Sequence, residues 1–183
     1  FEPTCEWILT QVEQLSKRYG DSLHGVGISC GGPLDTNEGL VLSPPNLPGW
    51  DAVPIVQLAH KASQLPTYLM NDANAGALAE GRHGGGRNCD NFAFLTCGTG
   101  MGSGIVCNGQ IIEGSNGFAG EIGHMRLTDD GPIGYGKSGS FEGWCSGGGF
   151  AQWAGMSAKE AAKLAHQGDD AALTAFARFG EQL

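Results

Sequence analysis

Segment 71–75, with the sequence NDANA, places a lone carboxylate where a short apolar run gives way to an alanine-rich stretch. The run 65–70 is typical of a brief buried strand, and residues 73–80 are mostly strong helix formers. Open α/β sheets bind ligands just outside the carboxyl ends of their strands, so Asp72 lies where a reacting group is expected, with Asn71 beside it. The alternative is that Asp72 only caps the new helix, since Asp is a favoured cap residue.

The glycine-rich segment 98–104, with the sequence GTGMGSG, connects two predicted strands. It therefore differs from a Rossmann fingerprint and from a P-loop, which both need a helix after the glycines. A strand-to-strand turn can still present consecutive backbone N–H groups to an anion, and Thr99 and Ser103 add hydroxyl donors. The alternative is a plain tight hairpin, for which two glycines suffice. Four glycines in seven positions favour a phosphate site.

A second polar cluster, at 117–124, has the sequence GFAGEIGH. A carboxylate acceptor at Glu121 and an imidazole donor at His124 suit neighbouring hydroxyls of a polyol better than a metal, which requires further ligands. The alternative is a surface Glu with a solvent-facing His. Glu142 opens a predicted helix, where the helix dipole alone also favours an acid. Together with Asp72, these residues indicate a hydroxyl-rich substrate beside a nucleotide.

The elements that must position these residues follow from periodicity and turn signals. Their order predicts an α/β domain with a mixed sheet and flanking helices. Asn108-Gly109 is a strong hairpin signal, which pairs 102–107 with 110–113. Segments 34–50 and 114–140 are predicted to be irregular. The predicted helices are 5–19, 54–62, 73–82, 141–154, 157–167 and 169–181, and the other predicted strands are 26–30, 65–70 and 91–97.

Composition limits the partners of the chain. A net charge of −9 over 183 residues argues against nucleic acid or an anionic membrane as a partner. The lack of a long apolar run and of a signal segment favours a cytoplasmic location. Six cysteines without a CxxC pair suggest reduced, buried thiols, with Cys30, Cys97 and Cys107 in or at the ends of strands.

Five stretches in order resemble the ROK family of sugar kinases and repressors, which has the actin-like ATPase (ribonuclease H-like) fold. They are GISCGGPLD at 27–35, NLPGW at 46–50, NDANA at 71–75, GTGMGSG at 98–104 and AGEIGH at 119–124. The resemblance covers residues 25–183. It implies an N-terminal lobe that ends in 1–70, a C-terminal lobe that starts in 71–183, and a homodimer.

The resemblance implies phosphorylation of a hexose from ATP with Mg²⁺, and Glu142 beside His124 favours a glucose-like sugar. Asp72 is then the general base that takes the proton of the attacking hydroxyl. A sugar-sensing repressor and a non-catalytic sugar-binding fragment remain the alternatives. The residues that this resemblance assigns to sugar are Gly32, Asn46, Asn71, Glu121, His124 and Glu142, and those assigned to ATP phosphates are Gly98, Thr99, Gly100 and Gly102.

Two features of the family pattern are not found in this sequence. The family's first strand, with its DxGGT phosphate loop, and a later glycine pair near the adenosine are both missing. The chain is therefore expected to be a fragment that holds about half of the nucleotide site, so that kinase activity of these residues alone is doubtful.

We predict that the protein binds no zinc. Many family members carry a zinc site with the pattern CxCGxxGCxE, but the matching stretch 133–142 has the sequence IGYGKSGSFE. Ile133, Tyr135 and Ser140 replace the three cysteines, and these side chains cannot replace thiolates in a closed structural site. Elemental analysis of the purified protein is expected to show no stoichiometric zinc. One zinc ion per chain would contradict this prediction.

Overall fold

A computed structural model describes residues 2–183, which form seven α-helices, two 3₁₀ turns (Gly20–Ser22 and Ile122–His124) and nine short strands. The helices are α1 (Glu2–Tyr19), α2 (Ile55–Ser63), α3 (Asp72–His83), α4 (Phe141–Cys145), α5 (Gly147–Ala154), α6 (Ala158–His166) and α7 (Asp170–Gln182). The strands are β1 (Val26–Cys30), β2 (Leu34–Asp35), β3 (Leu40–Val41), β4 (Thr67–Asn71), β5 (Phe92–Cys97), β6 (Met101–Cys107), β7 (Gln110–Ile111), β8 (Ile133–Gly134) and β9 (Lys137–Ser138).

Parallel pairing of β1 and β4 sets the first edge of the site. Their register places Val26 opposite Thr67 and Cys30 opposite Asn71, so both strands end at the same edge. Strands β5, β6 and β7 form an antiparallel sheet that contains the predicted Asn108-Gly109 hairpin. The predicted mixture of strand directions is thus present, distributed over separate sheets among the described residues.

Helices α1 and α2 cover the parallel pair with one apolar cluster. Its buried members include Cys5, Val41, Trp50, Ile55 and Leu69. Segment 34–50, predicted to be irregular, in fact contains the β2–β3 hairpin. Its turn is closed by the Asp35 carboxylate, which accepts hydrogen bonds from the N–H groups of residues 37 and 38. Local side-chain capping of this kind gives no periodic signal in a sequence.

Helix α3 packs against β6 at very short range, and this contact explains its alanine-rich sequence. A Cβ atom added to Gly104 would lie 2.6 Å from the carbonyl oxygen of Ala73 and 2.6 Å from the Cβ of Ala77. Both alanines are buried. Small side chains on both elements therefore let the two backbones approach, and this approach holds the start of α3 beside the end of β5.

The C-terminal helices differ from the prediction at one point. The expected helix 141–154 is divided at Ser146, which ends α4 and caps α5 by accepting a 2.9 Å hydrogen bond from the N–H of Gly149. The last turn of α4 and the first turn of α5 can meet at Ser146 because residues 147–149 are glycines. Behind them, Phe150 packs against Ala161, Ala172 and Ala175.

Two further expectations need correction. Strand β6 begins at Met101, because Gly102 and Gly104 pair with residues of β5. Only residues 98–100 of the glycine-rich segment 98–104 therefore lie outside the strands. Cys97 and Cys107 are exposed and Cys30 is half-buried, whereas Cys5 and Cys145 are buried; all six thiols are free.

No helix within residues 2–183 combines the length and apolar character needed to cross a bilayer.

We predict that Gly104→Ala destabilises the fold. The added methyl group would overlap the backbone of α3, and overpacking of this kind typically costs about 1–3 kcal/mol. Urea unfolding should show this loss. The matched control is Gly27→Ala in β1, where an added Cβ has no neighbour within 4 Å. Equal unfolding midpoints for both variants would contradict the prediction.

Candidate active-site cleft

A single cleft of about 700 Å³ collects most of the predicted site residues. It lies between the carboxyl ends of β1 and β4 on one side and the β5–β6 turn and the 3₁₀ turn at 122–124 on the other. The predicted residues that line it are Gly32, Asn46, Asn71, Asp72, Gly98, Thr99, Gly100, Gly102, Glu121 and His124.

The junction between β4 and α3 decides which side chain is the helix cap. The side-chain oxygen of Asn71 accepts hydrogen bonds from the N–H groups of Ala73, at 3.0 Å, and Asn74, at 3.2 Å. Asn71 is therefore the N-cap, and Asp72 is the first residue of α3. Asp72 is exposed, and among the described residues only its Oδ1 atom accepts a hydrogen bond, from the N–H of Ala73 at 2.9 Å.

Glycines after β1 leave room beside these two polar side chains. A Cβ atom on Gly31 would lie 3.9 Å from the Oδ2 of Asp72, and one on Gly32 would lie 3.9 Å from the Nδ2 of Asn71. The second carboxylate oxygen and the amide donor are thus on the side of the 31–32 loop, which lines the cleft. Asn46 is exposed and also lines the cleft.

The turn 98–100 presents free backbone donors at the opposite wall. Two of its three carbonyl groups are engaged, because the N–H of Gly147 donates to Gly98 at 2.7 Å and the N–H of Gly148 donates to Thr99 at 3.0 Å. Within residues 2–183, the N–H groups of residues 98, 99 and 100 donate to no other group. The turn is therefore fixed on the start of α5 and can offer these donors to an anion.

Ser103 does not contribute the hydroxyl donor that the sequence predicts for this anion site. The residue is buried in β6, and its hydroxyl donates a 2.7 Å hydrogen bond to the carbonyl of Gly120. Ser103 lines the cleft, but its hydroxyl donor is already used in this bond, which joins β6 to the loop that carries Glu121. Thr99 remains exposed on the turn.

Glu121 and His124 lie at the ends of one 3₁₀ turn. The Nε2 of His124 is 3.9 Å from the Oε2 of Glu121, and both side chains are about 41% exposed. This separation is too long for a hydrogen bond. Both side chains can therefore serve groups of a ligand in the cleft, and their binding of neighbouring hydroxyls stays a prediction.

Glu142 lies behind the glycine turn instead of lining the cleft. Its Oε2 accepts a 3.1 Å hydrogen bond from the N–H of Met101, and a Cβ atom on Gly100 would lie 2.8 Å from the same oxygen. In this arrangement the carboxylate fixes the junction between the turn and β6. It is the one predicted sugar contact that the structure does not bring to the cleft lining.

Sequence reasoning did not assign Tyr135 to the site, but this residue lines the cleft. Its ring stacks on the imidazole of His124, with centroids 3.6 Å apart and planes 19° apart. Burial, followed by the charges of Glu142 and Glu121, raises the pKa of Tyr135 to about 12, so its phenol stays neutral near pH 7. A tyrosine between two glycines, Gly134 and Gly136, was the available signal.

Comparison with known proteins identifies the family. The ROK family profile matches residues 2–183. The chain belongs to the ROK family. A glucokinase of Halalkalibacterium halodurans is 38% identical over 132 residues, which is 71% of this chain and 40% of that protein. The xylose repressor of Caldicellulosiruptor bescii is 38% identical over 104 residues, 57% of this chain and 26% of that protein.

Solved structures of ROK proteins share the fold. The ROK hexokinase of Thermus thermophilus has a TM-score of 0.86 at 29% identity and covers the whole chain, which matches 63% of that structure. A glucokinase of Streptomyces griseus, in complex with glucose and AMPPNP, has a TM-score of 0.78 at 29% identity over 99% of this chain and 65% of that one. The predicted actin-like fold is confirmed, and the chain spans about 40% of the glucokinase it matches.

We predict that Asn71→Ala destabilises the protein by about 1 kcal/mol, because two N–H groups at the start of α3 lose their acceptor. Asn71→Asp keeps an acceptor at the cap and is the matched control. Urea unfolding should rank wild type and Asn71→Asp together, within about 0.5 kcal/mol, above Asn71→Ala. If the alanine variant unfolds at the wild-type midpoint, Asn71 is not the cap on which α3 depends.

Proposed function

We propose that the chain forms the sugar-binding part of an ATP-dependent hexose kinase. The observation that carries this proposal is the pairing of an exposed carboxylate, Asp72, with three free N–H groups at 98–100 across one cleft. One wall suits a hydroxyl that must lose a proton, and the other suits the phosphate that it attacks. The relatives named glucokinase support the same assignment.

The proposed reaction needs little beyond positioning and charge compensation. A sugar hydroxyl attacks the γ-phosphorus of ATP, the bond from that phosphorus to the bridging oxygen breaks, and ADP leaves. The proton of the hydroxyl passes to the carboxylate of Asp72. Asp72 can act in this way because its Oδ2 is free on the side of the cleft that Gly31 leaves open.

The remaining sugar hydroxyls have suitable partners in the cleft. The amide nitrogen of Asn71 can donate, because the side-chain oxygen is already engaged in the helix cap. Glu121 accepts, and the imidazole of His124 can donate or accept. Three partners of different chemistry around one carboxylate suit a pyranose with several adjacent hydroxyls. A glucose-like hexose is the proposed substrate.

ATP and Mg²⁺ fit the residues that are present. The N–H groups at 98–100 would hold phosphate oxygens of ATP, as exposed backbone donors commonly do. Mg²⁺ binds mainly to phosphate oxygens, one or two carboxylates and water, so it requires no dedicated protein cage. When bound, it would neutralise negative charge on the phosphates. The carboxylates of Asp72 and Glu121 line the same cleft.

A sugar-sensing repressor is the second candidate, because the relatives include a xylose repressor. Such a protein also needs a sugar pocket, but it has no use for a proton acceptor opposite a phosphate turn. The presence of both features in one cleft favours the kinase.

We further propose a homodimer as the assembled form.

We predict that Asp72→Asn lowers kcat for hexose phosphorylation by the full-length protein by about 10²–10⁴-fold, since a general base typically contributes that factor. The asparagine keeps the size of the side chain, and sugar binding should persist in isothermal titration. Asp21→Asn, at an exposed position outside the cleft, is the matched control and should keep wild-type turnover. Normal turnover of Asp72→Asn would show that the base is assigned wrongly.

A further inference from the structure

Two hairpins of the chain close with the same kind of two-residue turn, and one of them carries an unusual residue. Asn108-Gly109 joins β6 to β7, and Tyr135-Gly136 joins β8 to β9. The φ angles are 50° and 74° in the first turn and 51° and 70° in the second. Positive φ at both central positions is the pattern of a type I′ turn, for which Asn-Gly is the favoured pair.

A tyrosine at the first position of such a turn is strained. Its Cβ crowds the backbone in the left-handed region, which asparagine and glycine tolerate much better. The Asn108-Gly109 hairpin shows that this chain makes the same turn without a bulky residue. Strained residues persist where the surrounding structure holds them, and they cluster at functional sites. Formation of the turn therefore does not explain Tyr135.

The position of the ring gives a reason for the residue. Tyr135 stacks on the imidazole of His124 with a centroid separation of 3.6 Å. From the next strand, the Nζ of Lys137 donates a 3.1 Å hydrogen bond to the carbonyl of His124. The hairpin thus holds His124 by its ring and by its backbone. Glu121 also lies beside the imidazole, but at 3.9 Å it is not hydrogen-bonded to it.

The base of this hairpin is fixed to α4, so the tyrosine has a firm support. A Cβ atom on Gly134 would lie 2.7 Å from the N–H nitrogen of Gly143 and 2.7 Å from the hydroxyl oxygen of Ser140. Ser140 is fully buried, and its hydroxyl caps α4 by accepting a 3.0 Å hydrogen bond from Gly143. Close packing of backbone on backbone leaves the hairpin little freedom to shift relative to α4.

Residues of the same hairpin do not fit a zinc ion. Ile133 carries no ligand atom, and the hydroxyl of Ser140 is already engaged in the cap. The ring of Tyr135 is committed to the stack, and burial followed by the charges of Glu142 and Glu121 raises the pKa of its phenol to about 12, which disfavours the phenolate that a metal would bind. A closed thiolate site cannot form from these groups. The loop must therefore be held by packing.

We propose that Tyr135 is a positioning residue that orients the imidazole of His124 toward the sugar. The strained turn is retained because the ring is needed at this point. This inference rests on the proposed sugar-binding function of the cleft. Tyr135 acts through His124 and need not touch the reacting atoms.

The test is a set of three variants in the full-length protein. Tyr135→Asn installs the favoured turn residue and removes the ring, Tyr135→Phe keeps the ring, and Asn108→Tyr places a tyrosine in the equivalent turn outside the cleft. For Tyr135→Asn we expect a roughly three- to tenfold rise in sugar KM, with the unfolding midpoint unchanged or higher, because an aromatic stack is lost and backbone strain is relieved. KM for ATP should stay constant.

The controls separate positioning from mere structure. Tyr135→Phe should keep the sugar KM within about twofold, since the stack remains. Asn108→Tyr should lower the unfolding midpoint and leave the sugar KM unchanged. In a His124→Ala background, Tyr135→Asn should raise the sugar KM by less than about twofold, because coupled residues are not additive. A merely structural role for Tyr135 predicts the opposite for Tyr135→Asn, a lower midpoint with an unchanged KM.

Failure of this inference can be told apart from failure of the proposed function. A Tyr135→Asn variant with wild-type sugar KM overturns the inference even where Asp72→Asn abolishes turnover. If Asp72→Asn turns over normally while Tyr135→Asn weakens sugar binding in isothermal titration, the base assignment fails and the inference stands. An undiminished effect of Tyr135→Asn in the His124→Ala background also overturns it.

Discussion

The hydrogen bonds from the start of α3 to the side chain of Asn71 are the constraint on which the site depends. They end β4 and begin α3 within one residue, at the edge where β1 also ends. Because Asn71 caps the helix, Asp72 is released from capping and its Oδ2 is left for the cleft. Asn71 thus fixes the strand-to-helix junction, and Asp72 keeps a carboxylate oxygen available to a ligand.

Close backbone packing carries this local arrangement across the molecule. The contact of Gly104 with α3 brings β6, and with it the 98–100 turn, toward Asp72. The start of α5 then holds the carbonyls of residues 98 and 99, while the N–H groups of the turn donate to no group within residues 2–183. At these contacts glycine lets two backbones approach each other, which a side chain would prevent.

The sequence predicted those elements that have a characteristic residue pattern or a regular spacing of apolar residues. It located the NDANA segment, the hairpin at Asn108-Gly109 and most helices. It could not show that Asn71 and not Asp72 is the cap, because both residue types favour that position. The break between α4 and α5 at Ser146 and the hydrogen bond from Ser103 to Gly120 depend on the folded structure, so the sequence alone does not show them. Tyr135 was missed as a site residue because its role depends on a partner eleven positions away, on another element.

The most direct test of the central claim is a crystal structure of the full-length protein with a hexose and a non-hydrolysable ATP analogue. We expect one sugar hydroxyl within about 2.6–3.2 Å of the Oδ2 of Asp72, the distance that a general base requires. We also expect phosphate oxygens on the N–H groups of residues 98–100. A hexose bound with all its hydroxyls beyond that reach, or a phosphate chain held away from this turn, would contradict the central claim.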